Sequence, residues 1–107
     1  MNTVTKKDVT RRVATALNQP VVNTEKLVDS VFNALREILS EANPEIRIEI
    51  RDFGVFEVKK TKPKPKARNP KTGEIIYVEA RRKTHFKAGK KLRDVLKQPL
   101  DQLESVG

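Results

Sequence analysis

Lys59 to Gly73 reads KKTKPKPKARNPKTG. Seven of these fifteen residues are Lys or Arg, none is Asp or Glu, and Ala67 is the only apolar residue. Such a segment cannot bury a core, and its charges repel one another unless an anion partners them. Strand-like sequence brackets it, Ile46 to Val58 before and Glu74 to Ala80 after. Asn69-Pro70-Lys71-Thr72-Gly73 supplies turn chemistry, because proline presets one backbone angle and glycine tolerates positive φ. The sequence therefore predicts a two-stranded ribbon that projects from a body and reverses near Pro70.

Charge placement supports that division. The whole chain of 107 residues carries +9, but residues 1–58 sum to −1, residues 59–97 to +12 and residues 98–107 to −2. A localised positive block is the footprint expected of a polyanion binder, whereas a merely solubilising surface intersperses its signs. There is no cysteine and no tryptophan, which removes disulfides, thiol catalysis and thiolate zinc sites and is compatible with a reducing cytosol. An aromatic content of 5% leaves a lone chain a thin interior and favours a core shared between subunits. No apolar run approaches the roughly 18 residues that span a bilayer, and the start of the chain has no signal-peptide pattern.

Outward from the ribbon, Thr5-Lys6-Lys7-Asp8 has the form of a capped helix start. Val9, Val13, Ala16 and Leu17 follow at helical spacing, and Asn18-Gln19-Pro20 ends the element. Asn23 or Thr24 is the expected cap of a second, longer helix. Its stripe of Leu27, Val28, Val31, Phe32, Ala34, Leu35, Ile38 and Leu39 is too wide for one neighbour to cover. The uncovered part is expected to meet its own copy. Ile46, Ile48 and Ile50 alternate with Arg47, Glu49 and Arg51 as in a half-buried strand. Asp52-Phe53-Gly54 turns the chain, and Val55, Phe56 and Val58 form the next strand. Ile75 to Val78 is expected to re-enter the body as the third strand of an antiparallel sheet. Thr84 is a candidate cap for a third helix from about His85 to Lys97, with Phe86, Leu92, Val95 and Leu96 inward. Gly89 inside that helix costs about 1 kcal/mol against alanine, so a close packing contact is the expected compensation. The fold class is α+β, with a domain over 1–97 (arm about 59–74) and a flexible tail over 98–107.

Catalysis finds little support. His85 is the only histidine and lacks an evident partner, no carboxylates are placed as an acid/base pair, and no glycine-rich loop cradles a phosphate. No metal or cofactor site is expected. In the ribbon, Lys62, Lys64 and Lys66 interleave with Pro63 and Pro65. On a regular strand they recur at roughly 6.6 Å, close to a phosphate spacing, and are expected to project from one face. Pro70 admits two readings, a wedge that enters a base stack or an ordinary turn proline. A different class of partner, acidic proteins or anionic lipids, is compatible with the charge alone. RNA is less so, because the ribbon offers no aromatic stacking platform.

Three motifs in order resemble one family. Arg68-Asn69-Pro70-x-Thr72-Gly73 resembles the arm tip of the HU/integration-host-factor proteins of the bacterial nucleoid. Asp52-Phe53-Gly54-x-Phe56 resembles their first strand turn, and Phe86-Lys87-Ala88-Gly89-Lys90-x-Leu92 their last helix. The resemblance spans about residues 5–97. It implies an intertwined dimer, homodimeric or paired with a paralogue, with a helical base and two β-arms that embrace duplex DNA through the minor groove and bend it. It places the protein in the cytoplasm on the nucleoid, without enzymatic activity. It also implies DNA contacts by Lys6, Lys59, Lys60, Lys62, Lys64, Lys66, Arg68, Asn69, Pro70, Lys71, Arg81, Lys83, Lys87, Lys90 and Lys91, with Pro70 intercalating. Val28, Val31, Phe32, Leu35, Leu39, Phe53, Phe56 and Phe86 become the expected dimer core. Ala67 stands where the family commonly has glycine, and Pro65 where it has arginine. The tail after Lys97 exceeds the usual family end.

Overall fold

The computed structural model describes residues 1–101. Most of the tail expected over 98–107 lies outside the described residues. The chain forms two compact units, residues 1–40 and the remainder from residue 41.

The first unit is a pair of helices, α1 (Lys6–Leu17) and α2 (Val21–Ser40). Asp8 fixes the start of α1. Its Oδ2 accepts from the Thr5 backbone N–H at 2.9 Å and from the Thr5 hydroxyl at 3.0 Å. Those bonds favour the carboxylate and hold the Asp8 pKa below its usual value, helped by the nearby Arg11. Asn18 ends the helix in the left-handed conformation, φ 51°, which asparagine tolerates. Thr10 and Ala14 are the buried residues of α1, while Leu17 is exposed. α2 starts at Val21, ahead of the expected Asn23 or Thr24. Pro20 precedes its first residue, where a missing N–H costs nothing. Thr24 Oγ1 instead donates back to the Pro20 carbonyl at 3.0 Å. Of the wide apolar stripe, Val28 is buried and Leu35 and Leu39 are half-buried. Val31 and Phe32 remain 52% and 42% exposed.

The second unit contains two antiparallel sheets and a short helix. Strands β1 (Ile46–Ile50) and β2 (Gly54–Lys60) form the predicted hairpin, with Ile48 opposite Phe56. The expected third strand is corrected. Ile75–Val78 (β4) pairs with Lys64–Arg68 (β3) in a separate two-stranded sheet, and the body sheet is completed by β5, Arg82–Ala88. The helix expected from His85 therefore begins later, as α3 (Lys90–Leu96). His85 and Phe86 are strand residues, Thr84 caps nothing, and Val95 and Leu96 are exposed. The alternation Lys83, His85, Lys87 against Thr84, Phe86, Ala88 is the physical reason: one set takes the polar face, the other shares a face with Ile48 and Phe56.

Phe53, Phe56 and Phe86 meet at the β1–β2 turn, with ring centroids 4.8–6.2 Å apart, within the range of favourable tilted aromatic pairs. Gly54 makes the close approach possible. A Cβ there would lie 2.5 Å from the Lys87 carbonyl oxygen and 2.7 Å from the Phe86 ring. Gly89 is the residue before α3 rather than a helix-interior glycine, but the anticipated contact exists. Its N–H donates to the Phe53 carbonyl at 2.8 Å, and a Cβ would sit 3.1 Å from that oxygen. Phenylalanine, glycine and the last strand thus lock one another.

A candidate nucleic-acid interface

The arm is built in three tiers. At its base, β2 and β5 pair up to Lys60 opposite Arg82. Beyond them Thr61 fastens the two limbs of the arm. Its N–H donates to the Arg81 carbonyl at 2.7 Å, and its hydroxyl oxygen accepts from the Arg81 N–H at 2.9 Å. The ribbon sheet β3–β4 follows. At the tip, Asn69 N–H donates to Glu74 O and Gly73 N–H to Asn69 O, both at 2.7 Å. Asn69 Oδ1 also accepts from Lys71 N–H at 2.9 Å, a local turn that asparagine favours. Gly73 takes φ 74°, which a side chain would strain. Pro70 is held exposed at the apex of this loop.

Register refines the lysine pattern. Lys64 lies opposite Val78 and Ala67 opposite Ile76, so β3 carries one extra residue between them. That is a β-bulge in which Pro65 and Lys66 together oppose Tyr77. Proline is at home there, because the ladder bond it cannot donate is already lost. The expected single file of Lys62, Lys64 and Lys66 is therefore corrected. Lys62 precedes the strand, Lys64 shares a face with Val78, and Lys66 joins Arg68 on the other face. Pro63 also lies outside the strand.

Below the arm, the polar face of the body sheet carries Arg47 and Glu49 from β1, Val55, Glu57 and Lys59 from β2, and Lys83, His85 and Lys87 from β5. Glu57 is nearly buried at its centre, 3.0 Å from Lys87 Nζ and 3.5 Å from Lys59 Nζ. The Lys87 hydrogen bond, aided by Lys59, holds its carboxyl below the usual range against the opposing effect of burial. The acid ties down two long cationic side chains that stay more than half exposed. Arg47, which alternation already placed on the outward side of β1, and His85, which the sequence reading assigned to a helix, both belong to this face, and neither was among the expected DNA contacts. Period-two alternation through Arg82–Ala88 was the signal that would have found His85.

Among the other candidates, Lys91 Nζ lies 3.3 Å from Asp52 Oδ1 and Lys90 is exposed at the start of α3. Lys6, in the helical unit, lies 2.7 Å from Asp29 Oδ1. Among the described residues, no ion pair involves Lys60, Lys62, Lys64, Lys66, Arg68, Lys71, Arg81 or Lys83. The arm thus presents its charge outward while the body neutralises part of its own. Among the described residues no helix is long and apolar enough to cross a membrane.

An exposed cationic ribbon raised from a basic sheet face defines a nucleic-acid-binding protein of the β-arm class. Comparison with known proteins identifies the family. The description Bacterial DNA-binding protein matches residues 4–97, and the chain belongs to that family, the one that includes HU and integration host factor. It is 35% identical over 100 residues to integration host factor subunit beta of Cupriavidus metallidurans, covering 92% of this chain and 71% of that protein. The fold matches an Anabaena HU–DNA cocrystal structure with a TM-score of 0.77 at 25% identity, over 90% of this chain and all of the other. The protein is an architectural DNA-binding protein.

Proposed function

We propose that the chain acts as a dimer whose two arms lie in the minor groove of double-stranded DNA and bend it, largely without regard to sequence. The observation that carries this reading is the tip. Pro70 sits exposed at the apex of a loop closed by Asn69 and Gly73, with Arg68 beside it and no acidic residue from 59 to 73. A rigid apolar ring held out on a cationic ribbon is the chemistry of a wedge that unstacks a base step. Minor-groove benders of this kind include HU and integration host factor themselves. Lys59, Lys60, Lys62, Lys64, Lys66, Lys71, Arg81, Lys83 and Lys87 serve as phosphate contacts along the arm and sheet face. Lys6, Lys90 and Lys91 serve as flanking ones.

Each unit supplies apolar side chains for the dimer: Val31, Phe32, Leu35 and Leu39 of α2, with Val28 buried behind them, in the first, and Phe53, Phe56 and Phe86 in the second. Residues 1–97 act as one functional domain in that assembly. The reading includes no catalytic step and no cofactor, and it places the protein on cytoplasmic DNA. Bending costs less on a duplex already interrupted, so a nicked duplex should bind more tightly than an intact one of the same sequence in a fluorescence-anisotropy titration. Equal affinity for the two would refute bending as the mode of binding. Binding to anionic vesicles with no DNA complex would refute the DNA reading altogether.

A further inference from the structure

We propose that Ile75 and Tyr77 form an apolar contact strip on the arm that packs against the deoxyribose wall of the minor groove, extending the grip below the tip. The inference rests on the proposed minor-groove reading and adds to it two residues that carry no charge.

Directly opposed residues of an antiparallel pair share a face. Arg68 opposes Ile75, and alternation places Tyr77 on the same side as Ile75. The bulge turns Lys66 toward Tyr77. One face of the ribbon therefore combines Lys66, Arg68, Ile75 and Tyr77. On it Ile75 is 66% and Tyr77 61% exposed, against 39% for Ile76 on the opposite face. A strand buried in the body would have hidden both side chains; here no described residue covers them.

Charge decides the occupant. A second copy of the strip would set Lys66 and Arg68 against their own kind, which is repulsive. A groove whose walls are sugar C–H groups edged by phosphates matches apolar centres flanked by cations. Arg68 adjoins the tip, so a ribbon that turns Arg68 into the groove carries Ile75 and Tyr77 in with it. Tyr77 lies two residues from Ile75, about 6.6 Å along the strand, the same repeat that brings the ribbon's cations close to a phosphate spacing.

The chain has a single tyrosine and no tryptophan, so its intrinsic emission reports Tyr77 alone. The whole chain is titrated with a short duplex, and complex formation is followed independently by anisotropy of a dye on the DNA. In the saturated complex, Tyr77 should become shielded from acrylamide. Tyr77→Ala should weaken binding by about tenfold, in parallel at every salt concentration, because no charge is lost. Tyr77→Phe, which keeps the ring, should restore most of the affinity. A complex that forms while Tyr77 stays as open to acrylamide as in the free protein would overturn the strip and leave the DNA reading intact. Failure to form any complex would overturn the reading beneath it.

Discussion

Replacing Lys66 by alanine isolates the electrostatic part of the arm's grip. Lys66 is exposed, stands on the face that carries Arg68, and takes part in no ion pair among the described residues. Its charge is therefore available to a phosphate without first leaving a carboxylate. A dimer loses two cations on substitution. At about 0.9 logarithmic units of slope per neutralised phosphate, the dependence of log affinity on log salt should flatten by about 1.8. Between about 50 and 200 mM salt, the substituted protein should lose about tenfold less affinity than the parent. Anisotropy titrations of a labelled duplex at four salt concentrations measure this. Lys26→Ala, which removes an exposed lysine of α2 outside the candidate surface, should leave the slope unchanged. A Lys66→Ala slope equal to that of the parent would show that the arm does not meet phosphates there, and an equal fall in both variants would reduce the effect to net charge.

Gly54→Ala should destabilise the fold by about 1–3 kcal/mol through overpacking, because the new methyl meets a backbone carbonyl at 2.5 Å; an unchanged calorimetric midpoint would contradict the tight turn. Thr61→Val keeps the backbone bond to Arg81 but loses the hydroxyl bonds at 2.9 and 3.2 Å, so amide exchange at Arg81 should quicken while the global midpoint holds. Glu57 and Asp8 both titrate below their ordinary values of 4.5 and 3.8. Their contribution is complete above those values and is lost as pH falls through the lower folded-state values. The unfolding midpoint should drop on acidification below about pH 4.5, and Glu57→Gln should reduce that dependence.

The outgoing limb of the arm and α1 were legible in the sequence because their signals are local, whereas the apolar run Ile75–Val78 resembled a body strand and is the arm's returning limb. A charge run without apolar residues cannot be core, and Thr5 with Asp8 announces a helix start within four residues. The β1–β2 hairpin was equally plain from its alternation. β5 was not, since Lys83 to Lys87 runs straight into the helical pattern of Lys90 to Leu96 and its cationic face resembles a solvated helix side. Gly89, which separates the two, reads as an interior glycine until the Phe53 carbonyl is seen against it. Pro20 hid the true start of α2, because a proline after one helix is also a good residue before the next. The bulge at Pro65 and Lys66 depends on which residues of β4 lie across from them, and no reading of β3 alone contains that. The polar sheet face around Glu57 was illegible for the same reason: its members come from three strands.

Energy transfer between dyes at the two ends of a short duplex, with the parent protein and Pro70→Ala compared at saturation, addresses the tip itself. The parent should bring the ends together, and the variant should bind with similar affinity yet leave the duplex markedly straighter. A duplex bent to the same degree by both proteins would show that the apex ring enters no base step.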